Sequence, residues 1–97
     1  MFTGTAVFDL LLPSDSRTLK TKRSYVRPVL AALRKLEISA AEVGALDLYR
    51  RTELGVAAVA ADPEQVRRVL DSCERMVAGR PELELLSVRR RFYGDDD

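Results

Sequence analysis

The chain has 97 residues, 46% of them apolar, with 16 Lys and Arg against 15 Asp and Glu and a net charge of +1. That is enough for one domain with a single modest core, and too balanced in charge for a protein built solely to grip nucleic acid. No His or Asn occurs and Cys73 is the lone cysteine, which excludes His-based catalysis and metal ligation and an internal disulfide, and so points to a reducing, cytoplasmic setting.

Residues 2–12 alternate, with Phe2, Ala6, Phe8, Leu10 and Leu12 on one side and Thr3, Thr5, Val7, Asp9 and Leu11 on the other. Period two over this length predicts a strand with one buried face, ended by Pro13. Ser14, Asp15 and Ser16 offer N-caps for a helix. Leu19, Val26, Leu30 and Leu33 then share a face, with Val29 and Leu36 beside them, a helical spacing out to Leu36. Pro28 falls inside, where proline costs about 3 kcal/mol. The apolar stripe keeps its phase across it, which predicts one helix kinked near Pro28, with two short helices as the alternative.

A short, alanine-rich edge strand is expected over residues 38–44, a polar connection over 45–50 and a third strand over 51–61, with Leu54, Val56, Ala58 and Ala60 inward. Asp62, Pro63 and Gln65 make a strong helix start. Val66, Val69, Leu70, Cys73 and Val77 form its buried stripe, and Gly79 and Pro81 end it. The last strand is expected over 83–92. Residues 1–93 are read as one domain and 94–97 as a disordered acidic tail. No apolar run reaches the ~20 residues of a membrane span, and no basic segment followed by an apolar region suggests export.

The order βαββαβ, with right-handed crossovers, predicts an α+β, ferredoxin-like fold: an antiparallel sheet of order 4-1-3-2 with both helices on one face. That topology brings residues 14–23 and 42–53 to one edge of the sheet.

The run Leu19–Arg23 (LKTKR), Ala41–Gly44 (AEVG), Asp47–Tyr49 (DLY) and Glu53–Ala57 (ELGVA) resembles the YlxP-like family, small bacterial proteins of unknown function, over about Thr3 to Phe92. The resemblance implies the ferredoxin-like fold. It also implies a ribosome or RNA role by association, since such proteins are often encoded beside elongation, initiation and ribosome-maturation factors. It brings no catalytic residue. Pro28, Tyr49 in place of a tryptophan, and the acidic tail depart from the family's pattern.

Lys20, Arg27 and Arg34 recur every seventh residue on the first helix, with Arg23 alongside. Such a line can meet the phosphates of a nucleic-acid backbone, or it is a solvated flank. Lys20, Arg23, Arg27, Arg50 and Arg51 are the candidate RNA contacts. Lys22 falls on the core-facing side and should reach Glu42, Asp47 or Glu53. This cluster is either a structural ion-pair lock or a polar ligand site. A metal is not expected there, because the arginines oppose a hard cation.

The outward positions of the middle strands carry no aromatic, which argues against base stacking on the sheet. Any RNA contact should therefore be to backbone, weakly sequence-specific and salt-sensitive. Val7, Leu11, Ala57 and Val59 leave a mildly apolar face that no helix covers; a homodimer is expected through this face or through the edge strands, with a bare sheet face as the alternative. Arg89–Arg91 guard the last edge strand. Phe92 and Tyr93 close a hydrophobic clasp or stack on a base. Cys73 is a packed thiol.

The expected function is that of a non-enzymatic accessory protein binding RNA or ribosomal particles, without cofactor, metal or membrane partner. The alternative is a homodimeric regulatory domain that binds a small ligand. An acylphosphatase of this fold would need an Asn the chain lacks.

Overall fold

Alternation in the first and third strands sets the architecture. Gly4, Ala6, Phe8, Leu10 and Leu12 are buried on one, and Thr52, Leu54, Val56 and Ala58 on the other. Side chains two apart share a face, so these two strands present one continuous apolar surface. The computed structural model describes residues 1–94. It contains β1 (Phe2–Leu11), α1 (Leu19–Arg34), β2 (Ser39–Gly44), β3 (Arg51–Ala60), α2 (Pro63–Ala78) and β4 (Glu84–Tyr93). The sheet order is β2-β3-β1-β4, with every neighbouring pair antiparallel. This is the ferredoxin-like arrangement expected from the order of elements. The acidic tail from Asp95 onward lies outside the described residues.

Val26, Val29 and Leu33 of α1 and Val66, Leu70, Cys73 and Val77 of α2 join the strand residues in one core. Burial pushes the Cys73 thiol above its ordinary pKa, which holds it protonated and unreactive. Asp62 caps α2 by accepting from the Gln65 amide at 2.9 Å.

Two local expectations are corrected. Thr18, not residues 14–16, caps α1, and its hydroxyl accepts from the Thr21 amide at 3.1 Å. Leu19 consequently stands at the solvent end of the first turn, 45% exposed, rather than on the buried stripe. As expected, one helix rather than two runs through Pro28. Pro28 is exposed, so the amide it lacks faces water and α1 keeps its buried side.

Two irregularities shape the edges. Val43 is inserted between the paired residues Glu42 and Gly44 of β2. Leu86 is inserted in β4 opposite Asp9 and Leu10. Bulges on edge strands twist the edge and discourage pairing with other chains.

Candidate functional site

The loop after β1 and the crossing between β2 and β3 are tied together. The Leu12 amide donates to the Arg50 carbonyl at 2.8 Å, and Arg50 Nε returns a bond to the Leu12 carbonyl at 3.3 Å. Ser16, fully buried, donates its hydroxyl to the Tyr49 carbonyl. Asp15 accepts from the Tyr25 hydroxyl at 2.8 Å and so fastens the same loop to α1. Hydrogen bonding to Asp15, with some help from burial, raises the Tyr25 pKa.

Lys22 lies beneath this junction and is only 3% exposed. Its Nζ donates to the Ala45 carbonyl at 2.7 Å and pairs with Glu42 Oε2 at 3.0 Å, with the Leu46 carbonyl further off at 3.5 Å. The same Glu42 oxygen accepts from Thr52 Oγ1 at 2.7 Å. Ala45 is in the left-handed region, at φ 56°, where a side chain costs roughly 1–2 kcal/mol. The lysine thus holds a strained turn by its carbonyl while neutralising a carboxylate on the neighbouring strand.

Of the acids singled out by sequence, Glu42 is brought to Lys22 and the others are not. Asp47 forms no ion pair among the described residues. Glu53 sits on the opposite face of the sheet, where Arg89 reaches across β1 to its carboxylate at 3.0 Å. Arg51 is on that outer face too and binds Asp9 through two bonds, of 2.6 and 3.3 Å. The hydrogen bond to Asp9 raises its already high pKa. Sequence reasoning missed this outer network of Asp9, Arg51, Glu53 and Arg89, although strand parity carried the signal: with Leu54 inward, residues 51 and 53 must point outward. Arg90 turns the other way and pairs with Asp71 and Glu74 of α2, at 2.9 and 3.0 Å.

The candidate basic residues also separate. Lys20, Arg23 and Arg27 are exposed on α1 and form no ion pair among the described residues. Arg34, the next along the line, instead donates to the Ala40 carbonyl at 2.9 and 3.2 Å and pins the end of α1 to β2. Arg50 is exposed on the crossing.

A cavity of about 280 Å³ opens beside the junction. Lys22 and Glu42 line it, Arg23 and Arg27 contribute two more cations, and Leu19, Val26, Leu30 and Leu46 make apolar walls. Among the described residues no group of three or more Cys, Asp or Glu could hold a metal ion. No described helix is long and apolar enough to cross a membrane.

The fold and this edge define a small α+β domain of ferredoxin-like topology whose polar edge is organised by one buried lysine. A family model described as a protein of unknown function (DUF503) matches residues 3–90, and the chain belongs to that family. It is 29% identical over 80 residues to an uncharacterized protein, YlxP, of Bacillus subtilis, covering 81% of this chain and 87% of that protein. The YlxP-like resemblance read from the LKTKR, AEVG and ELGVA segments is thereby established.

Proposed function

We propose that the protein is a non-enzymatic, cytoplasmic accessory factor that binds RNA, free or in a ribosomal particle, through phosphate contacts. The observation that carries this reading is the ridge on α1. Lys20, Arg23 and Arg27 fall at i, i+3 and i+7, exposed and without ion pairs among the described residues. They extend over roughly 10 Å of helix axis. Arg50 stands on the adjoining crossing as a further contact, whereas Arg51 is held on the far face of the sheet by Asp9.

The three ridge contacts predict a log–log salt slope of about −2 for single-stranded RNA, to which Arg50 adds about −0.7. Fluorescence anisotropy with a labelled RNA, titrated at several salt concentrations, measures it. The Lys20→Ala/Arg23→Ala/Arg27→Ala protein is expected to keep only the small slope that Arg50 supplies, with its fold intact. Salt-independent binding, or an unchanged slope in the triple variant, would remove the ridge from the interface.

A second reading has its own observation. On the uncovered sheet face a shallow trough of about 710 Å³ is lined by Thr5, Val7, Ala41, Val43 and Ala57, and Val59 there is 66% exposed. A homodimer through this face, able to enclose a small ligand, would cover it. Sedimentation velocity should then show a dimer for the native chain and a monomer for Val59→Asp. A native monomer at high concentration would discard this reading.

A further inference from the structure

We propose that the cavity beside Lys22 receives one unstacked base of the bound strand and selects bases that carry an exocyclic amine. The inference rests on the RNA reading above and adds base selectivity to it.

The hydrogen-bonding capacity of the cavity is unevenly spent. Lys22 Nζ already serves the Ala45 carbonyl and Glu42 Oε2 at 2.7 and 3.0 Å, with the Leu46 carbonyl at 3.5 Å for its third proton, so its donors are directed to the fold. Glu42 Oε2 is committed as well, to Lys22 and to the Thr52 hydroxyl. Glu42 Oε1 accepts from none of the described residues, and the side chain is 25% exposed where it lines the cavity. A carboxylate oxygen can only accept. The cavity therefore presents one unused acceptor in surroundings that are otherwise cationic or apolar.

A ligand that completes it needs three features: an anion for Arg23 and Arg27, a flat apolar body for the leucine walls, and an N–H for Glu42. A nucleotide of a single strand has all three. The volume of about 280 Å³ falls just under the roughly 300–1,000 Å³ of pockets for drug-sized ligands, which suits one base rather than a whole cofactor. Leu46, 56% exposed, offers apolar surface at its wall. Single-stranded RNA is read in this way, with splayed bases held on their hydrogen-bonding edges while phosphates meet basic side chains. Cytosine and adenine carry an amine that a carboxylate accepts from. Uracil places carbonyl oxygens on both sides of its one N–H, and their lone pairs would face Glu42.

The test compares labelled oligo(C), oligo(A) and oligo(U) of equal length by fluorescence anisotropy at one salt concentration. Binding about 10-fold or more tighter for oligo(C) and oligo(A) than for oligo(U) is expected. Glu42→Gln, whose amide can also donate, should collapse the difference. Leu46→Ala, a change on an exposed turn that leaves the Lys22 contacts in place, should shrink it without altering the salt slope. Equal, salt-dependent binding of all three oligomers overturns the base site and leaves the phosphate reading standing. Preference for oligo(U), or a preference untouched by both variants, overturns the base site as well. Binding of none of them overturns both.

Discussion

Replacing Lys22 with methionine is expected to lower the unfolding free energy by about 3 kcal/mol. For a domain of this size that corresponds to a fall in Tm of roughly 12–24 °C. Methionine keeps the unbranched apolar stem of the side chain out to Cε, so little packing is lost. What disappears is the ammonium, and two groups are left without it. Glu42 keeps only the Thr52 hydroxyl for its inner oxygen, and the carbonyl of the left-handed Ala45 loses its donor. The cost sits at the lower end for a broken ion pair because Glu42 retains some contact with water. A second substitution separates the charge from the packing. Lys22→Met/Glu42→Gln no longer strands a carboxylate, so it should recover part of the loss, a coupling that a double-mutant cycle measures directly. Thermal unfolding of the four proteins decides the matter. A Lys22→Met protein melting within a few degrees of the native one would mean that the pair adds nothing beyond the core around it.

This pairing shows what the sequence made legible. The phase of Lys22 on its helix placed it inward, because it follows the rhythm of Val26, Val29 and Leu33. The choice among Glu42, Asp47 and Glu53 depended on pleat parity and on the path of the crossing. Glu42 shares the inner face with Ala40 and Thr52, Glu53 takes the outer face, and Asp47 stays on the exposed turn. The element order and the buried faces were readable because alternation and helical spacing are local signals. The helix cap was not readable in the same way. Ser16 is a good local cap, but its hydroxyl is drawn to Tyr49, a contact between positions 33 apart in the chain, and the cap passes to Thr18. Arg34 is a parallel case. Its spacing from Lys20 and Arg27 suggested one basic line, yet the turn into β2 brings the Ala40 carbonyl within its reach. Ser16 was decided by an acceptor far along the chain and Arg34 by the path of the turn six residues on, and helical spacing announces neither.

Gly4→Ala is expected to destabilise the fold by about 2 kcal/mol, or on the order of 10 °C in Tm, although alanine is the better strand residue. A Cβ at Gly4 would lie 2.4 Å from Val66 Cγ1 and 3.0 Å from Leu70 Cδ1. Both side chains sit on the buried face of α2, so α2 must lift from β1 or Val66 must leave its rotamer. Gly55 supplies the control. A Cβ there would meet Val43 Cγ1 at 2.9 Å, but Val43 is exposed on an edge strand and can turn away into water. Neither glycine has a positive φ, so backbone conformation does not distinguish them. Removing glycine's freedom in the unfolded chain favours alanine by about 0.4–1 kcal/mol at both sites. At Gly55 that gain roughly offsets the crowding, and the change should stay within about 0.5 kcal/mol. At Gly4 the crowding exceeds it. Combining Gly4→Ala with Val66→Ala makes room for the new methyl group, so the double variant should lose less stability than the two single losses added together. Simple additivity would show that α2 does not rest against Gly4 as closely as these distances require.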